Sequence, residues 1–381
     1  MIDLYTLSVL VFFAFLAVII YKDRKNIDFK YILFMRKTKK FRNLIDSIAK
    51  ISPRFWKFIG TFGVLVCFFY MIQGTFLLTT IQPQIQLVLP SLSPEISVSK
   101  VSINIPFWTW MIIIISILVP HELSHGIISR AEKIRLKSVG LLLLAIFPGA
   151  FVEPDEKQVK KSKLMTKLRV FAAGSFANFI VSFILFFLTL LVIWPSVVNP
   201  GVVINDIDPS GPAAMAGIEP GTILTQINRE EITTTYTEYL NNTGYFYDEV
   251  GSMDIGQYIV VKSIEGKNFE VELSNKTIEY YNETSETTEM FNVTYMGIIY
   301  SPRYKFSTVV IPFIIQLITL VSFFSLAVGI INILPIYPLD GGLMVEALTD
   351  KYAKKRSKQI VKTITFFVLI VLLYSFFKHA L

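Results

Sequence analysis

The stretch FWTWMIIIISILVPHELSHGIIS, residues 107–129, decides the fold of this chain. It is apolar over roughly the 20 residues that a helix needs to cross a bilayer. His121 and His125 lie four residues apart within it, so a helix presents both imidazoles on one face, where both can reach a single metal ion. Glu122 lies beside the first histidine and is placed to take a proton from an attacking water molecule. A motif that uses water therefore lies inside a predicted membrane span.

The composition of the whole chain agrees with a membrane location. Of its 381 residues 53% are apolar, and the mean hydropathy is +0.55, which is typical of proteins with several membrane spans. We predict a polytopic α-helical membrane protein, embedded in the lipid bilayer, with about six transmembrane helices near residues 4–21, 58–80, 107–129, 169–197, 307–333 and 360–377. Segment 138–152 is also apolar but shorter, and Pro148-Gly149 within it favours a re-entrant or interfacial segment.

Cysteine usage and net charge exclude other classes of function. Cys67 is the only cysteine and lies in an apolar run, which excludes an internal disulfide and a thiolate zinc site. The net charge is +7, but the basic residues cluster at the ends of apolar segments, where membrane topology explains them. We therefore expect no nucleic-acid partner.

The distribution of basic residues predicts the orientation in the cell membrane. Loops 22–57, 130–168 and 351–358 are rich in lysine and arginine and alternate correctly with the predicted spans. Such loops remain on the cytoplasmic side. We predict that these three loops are cytoplasmic, and that both termini, loop 81–106 and segment 198–306 lie outside.

The metal site needs a third protein ligand, because a catalytic zinc ion usually has three. The remaining histidine is near the C-terminus and the single thiol is in an apolar run, which leaves a carboxylate. Asp340, in the segment NILPIYPLDGG, is the best candidate. We expect Pro335 and Pro338 to break the fifth span near its end, and Gly341-Gly342 allows unusual backbone angles there. The predicted orientation places Asp340 and the HELSH motif in the same cytoplasmic half of the membrane.

Segment 198–306 has the pattern of a small soluble domain. The expected elements are strands at residues 202–204, 257–264 and 268–273 and a short helix at 212–215 that is closed by Gly217. Residues 201–228, GVVINDIDPSGPAAMAGIEPGTILTQIN, resemble a PDZ domain of the protease-associated type, and this resemblance weakens after about residue 232. We therefore predict an inserted, extracytoplasmic PDZ-like α+β domain.

Several motifs together resemble the site-2 family of intramembrane metalloproteases. They are HELSH (121–125), the Asn-x-x-Pro-x-x-x-Leu-Asp-Gly element (332–341), GSFAN (174–178), and the segment 147–155, which is similar to archaeal and eukaryotic members. In GSFAN, Ser175 replaces the proline of the family's pattern. A PDZ-like domain between spans four and five is also a family arrangement. The resemblance covers roughly residues 107–345.

The resemblance implies a zinc-dependent intramembrane endopeptidase. Its expected substrates are single-span membrane proteins, cut within the membrane segment, while the PDZ-like domain binds or gates them. It implies one Zn²⁺ per chain and these site residues: the ligands His121, His125 and Asp340, the catalytic base Glu122, and Asn178 and Asn332 for holding substrate or stabilising the oxyanion.

The predicted division of the chain follows the same scheme. Its parts are an N-terminal pair of transmembrane helices with a basic loop (1–106), the first half of the catalytic core (107–197), the PDZ-like domain (198–306), the second half of the core (307–345), and a basic loop with the last transmembrane helix (346–381).

Two other functions remain open. One is a non-proteolytic membrane protein that binds partners through its PDZ-like domain and holds a structural zinc ion, although such a site has no use for Glu122. The other is a transporter or channel with metal-binding histidines, which predicts inverted repeats that the sequence does not display.

Overall fold

Long apolar helices make up most of the structure, a computed structural model that describes residues 3–30, 33–80, 86–144, 147–240, 250, 253–282, 287–305 and 310–380. The described helices are α1 (Leu4–Asp23), α2 (Lys39–Ile51), α3 (Pro53–Thr80), α4 (Phe107–Ala131), α5 (Glu156–Lys161), α6 (Leu164–Leu188), α7 (Trp194–Val197), α8 (Pro212–Met215), α9 (Tyr236–Leu240), α10 (Val310–Ile333), α11 (Asp340–Tyr352) and α12 (Ser357–Ala380). The described strands are β1 (Ile27–Lys30), β2 (Leu33–Lys37), β3 (Leu87–Ser91), β4 (Ser97–Val98), β5 (Ser102–Pro106), β6 (Leu136–Leu144), β7 (Phe147–Pro154), β8 (Val198–Ile207), β9 (Ile223–Ile227), β10 (Glu230–Glu231), β11 (Tyr258–Ser263), β12 (Asn268–Glu272), β13 (Ser274–Asn282), β14 (Thr287–Tyr295) and β15 (Ile298–Tyr304).

Six helices in the described part of the chain are long and apolar enough to cross a membrane, which confirms the six predicted spans. They are α1, α3, α4, α6 with its continuation through α7, α10 and α12. Several extend beyond the predicted bounds where charged residues begin: α3 includes Arg54 and Lys57, and α4 continues past Arg130. Long basic side chains can remain in a helix there because their charged ends reach water.

Segment 138–152 forms most of a β-hairpin. β6 and β7 pair antiparallel, and with β1 and β2 they form a four-stranded sheet in the order β1-β2-β6-β7. Residues 145–146, between the two strands, lie outside the described part. Pairing within the sheet satisfies backbone groups that would otherwise be unpaired in an apolar environment. The sequence indicated a re-entrant or interfacial segment, and the structure adds its secondary structure and its contact with α4.

The basic loop 22–57 also contains structure that its charge did not predict. Besides β1 and β2 it holds α2, which buries Ile45 and Ala49 and packs against α4. Gly126 of α4 permits this contact, because a Cβ atom at that position would lie 2.8 Å from Cδ1 of Ile45. An ion pair between Asp46 and Arg130 joins the same two helices.

The fifth span ends where the sequence predicted. α10 ends at Ile333, shortly before Pro335, and the chain turns into α11 at Asp340. Gly341 and Gly342 do not use their freedom to adopt unusual backbone angles, because both lie in the first turn of α11. They provide space instead: a Cβ atom on Gly341 would lie 1.9 Å from the carbonyl oxygen of Ile333, and one on Gly342 would lie 2.4 Å from the backbone nitrogen of Tyr337.

The chain divides into two compact units, residues 1–185 with 317–381, and residues 186–316. The second unit contains a six-stranded sheet whose main path is β12-β11-β9-β8-β15, with β10 paired to β9. The predicted strands and the short helix α8 are present, and Gly217 after α8 has a φ of 76°. Apolar residues that alternate along the strands form its core; Val202, Ile204 and Val261 are fully buried. The assignment of this unit as PDZ-like stays a prediction.

Candidate metal centre

The HELSH motif lies in the second half of α4. The helical spacing places the rings of His121 and His125 one turn apart, with ring centroids 4.9 Å apart and ring planes 77° apart. Their Nε2 atoms converge to 3.3 Å. Two nitrogen atoms on one helix face therefore point toward one position.

Asp340 brings a carboxylate to the same position. As the first residue of α11 it places Oδ2 3.6 Å from Nε2 of His121 and Oδ1 3.4 Å from Nε2 of His125. The three side chains are only 10%, 14% and 11% exposed, in the order His121, His125 and Asp340. Among the described residues they form the only group of three or more possible metal ligands whose ligand atoms all lie within 4.8 Å of one another.

These side chains fit a catalytic zinc ion. Two imidazole nitrogens and one carboxylate oxygen are a usual zinc ligand set, and such a set leaves the fourth position open. Nδ1 of His125 lies 2.7 Å from the carbonyl oxygen of Val170. Because that oxygen can only accept, Nδ1 carries the proton and donates it, which leaves the Nε2 lone pair free for a metal.

Gly174 of α6 leaves the space in which the two rings converge. A Cβ atom at this position would lie 2.3 Å from Nε2 of His125 and 2.5 Å from Nε2 of His121. Any larger residue would therefore overlap the two nitrogen atoms that face the metal position. The absence of a side chain at Gly174 is a second observation that fits a metal centre here.

Glu122 is held at the edge of the site by the sheet. Its Oε2 accepts a hydrogen bond from the backbone N–H of Val152 in β7, with an N–O distance of 2.9 Å. The carboxylate is partly buried and lines the same cavity as both histidines. The contact orients Glu122 and leaves its second oxygen available to a water molecule.

A cavity of about 650 Å³ opens onto the three possible ligands and Glu122. Val152 and Tyr337 also line it, together with five charged side chains: Glu156, Lys160, Lys167, Glu346 and Asp350. Burial and the nearby Asp350 carboxylate raise the pKa of Glu346. A cavity with this many polar side chains admits water, which hydrolysis in an apolar environment requires.

Comparison with known proteins agrees with this geometry. A family model described as peptidase family M50 matches residues 109–376. The chain belongs to peptidase family M50, the site-2 proteases. Uncharacterized protein MJ0971 of Methanocaldococcus jannaschii is 27% identical over 357 residues, which are 91% of this chain and 86% of the relative. Zinc metalloprotease RasP of Bacillus licheniformis is 22% identical over 244 residues, 55% of this chain and 58% of RasP. The chain is thus a site-2 protease-type metalloprotease with several membrane spans.

The structure places the two asparagines of this M50 protease outside the cavity lining. Asn178 of α6 is fully buried, and its Nδ2 lies 3.3 Å from Nδ1 of His121, on the far side of the ring from Asp340. Asn332 is half-buried in the last turn of α10. Neither is among the described residues that line the cavity. Their roles toward substrate or oxyanion stay predictions.

Sequence reasoning missed several residues that contact the M50 site. Val152 and Val170 contribute a backbone N–H and a carbonyl oxygen, and no residue type marks such a contact in a sequence. Ser175 donates a hydrogen bond to Oδ2 of Asp340 over 3.1 Å. Its signal was present: a hydroxyl where the family's motif carries proline, beside a glycine, in an apolar part of α6.

Proposed function

We propose that this chain is a zinc-dependent intramembrane endopeptidase that cuts single-span membrane proteins within their transmembrane segment. The observation that carries the proposal is the position of the complete site. The ligand set His121, His125 and Asp340, with Glu122 beside it, lies on and next to helices that are long enough to span a membrane, at the end of a polar cavity. A structural zinc site needs neither a base nor a cavity.

One Zn²⁺ held by these three side chains would supply Lewis acidity that activates water and polarises a carbonyl group. Glu122 takes the proton of the attacking water and then donates it to the leaving amine, acting first as base and then as acid. Val152 keeps the carboxylate oriented through its N–H. Asn178 is buried behind the His121 ring, so we propose no contact of its side chain with the oxyanion.

The substrate must reach the site as an extended peptide, because helical hydrogen bonds shield backbone carbonyl groups. The non-helical segment between α10 and α11, residues 334–339, lies directly before Asp340 and is the place where we propose that a substrate strand pairs. Tyr337 in this segment is exposed and lines the cavity.

The charge pattern supports an active site in the cytoplasmic half of the membrane. Lys160 and Lys167 line the cavity and belong to the basic loop 130–168 that we assign to the cytoplasm. Water would enter and a cytoplasmic product would leave by this route. The unit 186–316 would then face the outside as a PDZ-like domain that binds or gates substrates by peptide capture or by size exclusion.

Cleavage of a model single-span substrate by the full chain in liposomes tests the proposal. We expect Glu122→Gln to lower the rate by about 10²–10⁴-fold, the usual contribution of a general base, while zinc content stays unchanged. Glu156→Gln, which changes an exposed acid that lines the same cavity and is not a possible metal ligand, is the matched control and should keep most of the activity. Equal product from wild type and Glu122→Gln would overturn the proposal.

A further inference from the structure

Helix α6 provides no possible metal ligand, yet it contacts all three of them. The carbonyl oxygen of Val170 lies 2.7 Å from Nδ1 of His125, and Ser175 and Asn178 contact the other two ligands. We propose that Ser175 and Asn178 are positioning residues that fix the Asp340 carboxylate and the tautomer of His121. The proposal rests on the proposed function, because it takes these three side chains as zinc ligands.

Ser175 restricts the orientation of the Asp340 carboxylate. Its hydroxyl is fully buried and donates to Oδ2 over 3.1 Å, and the same Oδ2 lies 3.6 Å from Nε2 of His121. A carboxylate at the start of a helix can rotate about its terminal bond, and a donor on one oxygen limits this rotation. A buried serine without a partner would also leave a polar group unsatisfied, so the contact stabilises both groups.

The contact depends on a serine at a position where the family's motif has proline. A proline, which occupies the matching position in the family's motif, has no hydroxyl group and cannot donate to Asp340. The serine also allows α6 to continue without losing a backbone hydrogen bond at this turn. We infer that the chain orients its third ligand through a hydrogen bond that the usual motif lacks.

Asn178 determines which nitrogen of His121 carries the proton. When Nδ2 of Asn178 faces Nδ1 of His121, Nδ2 donates the hydrogen bond and Nδ1 has to accept it. The imidazole proton then lies on Nε2, which could not bind a metal. In that orientation Oδ1 of Asn178 is also buried without a hydrogen-bond partner among the described residues. Rotating the amide by 180° places Oδ1 against the Nδ1–H of His121. Both the free Nε2 and a partner for Oδ1 follow from this single orientation.

The zinc dissociation constant of the full chain in detergent, measured by competition with a chelator, tests the proposal. We expect Ser175→Ala and Asn178→Leu each to raise it about 10–100-fold, the usual effect of losing an outer-sphere partner of a ligand. Ser175→Thr keeps the hydroxyl and Asn178→Asp keeps the acceptor, so both should restore most of the affinity. Ser182→Ala is the matched control: Ser182 is buried on α6, two turns beyond Ser175, and contacts Ser322 rather than a ligand.

A second readout separates orientation from general damage. The visible absorption spectrum of the cobalt-loaded protein reports ligand geometry, and we expect it to change in Ser175→Ala but not in Ser182→Ala. Thermal unfolding of zinc-free Ser175→Ala and zinc-free Ser182→Ala should be lowered by similar amounts, because each variant loses one buried hydrogen bond, so a difference in zinc affinity between them does not reflect stability. The inference alone would be overturned if wild type binds zinc, His121→Ala does not, and the zinc affinities of Ser175→Ala and Asn178→Leu equal that of Ser182→Ala. A wild type that binds no zinc would overturn the proposed function.

Discussion

Helices α4 and α6 lie side by side at the metal centre and contribute to it in different ways. α4 provides the reacting groups: two imidazoles and the carboxylate of Glu122. α6 provides a carbonyl oxygen at Val170, empty space at Gly174, and the side chains of Ser175 and Asn178. The residues of α4 determine which reaction is possible, whereas those of α6 determine whether the reacting groups stay in place. Substitutions in the two helices should therefore differ in kind as well as in size.

The largest expected effect comes from removing a ligand on α4. We expect His125→Ala to weaken zinc binding on the order of 10²–10³-fold, because apparent binding free energies of about 10–16 kcal/mol at four-ligand zinc sites correspond to roughly 2.5–4 kcal/mol per ligand. Cleavage should be lost as well. Ser129→Ala, one turn further along α4 and fully buried, is the control and should bind zinc normally. Zinc analysis after chelator competition measures the affinity of both variants. A normal zinc affinity in His125→Ala would contradict the assignment of His125 as a ligand provided by α4.

The second effect concerns the connection between the two helices. Glu132, directly after α4, forms an ion pair with Arg169 of α6 over 2.6 Å, and the two side chains are 6% and 21% exposed. Removing one partner of a buried pair costs about 3–5 kcal/mol. We expect Arg169→Leu to lower the free energy of unfolding by about 3 kcal/mol, at the low end because Lys57 remains 3.7 Å from Glu132.

The same variant should bind zinc normally once folded, since neither Glu132 nor Arg169 contacts a ligand among the described residues. Lys160→Leu removes an exposed ion pair with Glu156 and should change stability much less. Thermal unfolding in detergent, compared with zinc affinity, separates the two properties. A loss of affinity as large as that of His125→Ala would show that the α4–α6 ion pair also positions the ligands.

The reacting groups were predictable from the sequence because they follow a spacing rule. His121 and His125 are four residues apart in a helix, and Asp340 is one of few carboxylates near the end of a predicted span. The structure brings these three together. Long apolar runs predicted the spans for a similar reason, since composition alone makes a helix of that length stable in a bilayer.

Other parts of the molecule could not be predicted because they depend on contacts between distant segments. The pairing of β2 with β6 joins residues 33–37 to residues 140–144, and nothing local in either segment specifies the partner. The hydrogen bond of Val152 to Glu122 uses only backbone atoms on the strand side. The role of Gly341 depends on such a contact too: its lack of a side chain permits a close approach to Ile333, which the local sequence does not specify.

The third prediction tests the space that α6 leaves. We expect Gly174→Ala to raise the zinc dissociation constant by about 10–100-fold, because overpacking typically costs about 1–3 kcal/mol and the added Cβ atom overlaps both Nε2 atoms. Gly63→Ala is the matched control, since its Cβ atom would contact the Phe176 ring of α6 at 2.7 Å, away from the ligands. It should lower stability and leave zinc affinity unchanged. Equal affinity losses in the two variants would mean that general packing, rather than the space at Gly174, controls the site.

The smallest expected effect concerns Ser124, the one polar HELSH position that is neither a possible metal ligand nor the base. Its hydroxyl lies 2.7 Å from the carbonyl oxygen of His121 and 2.8 Å from that of Ala173 in α6. We expect Ser124→Ala to lower the free energy of unfolding by about 0.5–1.5 kcal/mol, the usual net value of one hydrogen bond, with a smaller loss of zinc affinity than Gly174→Ala. Ser116→Ala, half-buried two turns earlier on α4, is the control.

Thermal unfolding and chelator competition on the same samples decide between two roles of Ser124. If the hydroxyl contributes only to the packing of α4, stability falls and zinc affinity stays at the value of Ser116→Ala. If it holds the HELSH turn against α6, both fall together, because the contact with Ala173 lies in the turn that also positions Gly174 and Ser175. No change in either measurement would contradict the division of roles between the helices. The ligand rings themselves, through contacts such as that of His125 with Val170, would then be enough to hold α4 in place.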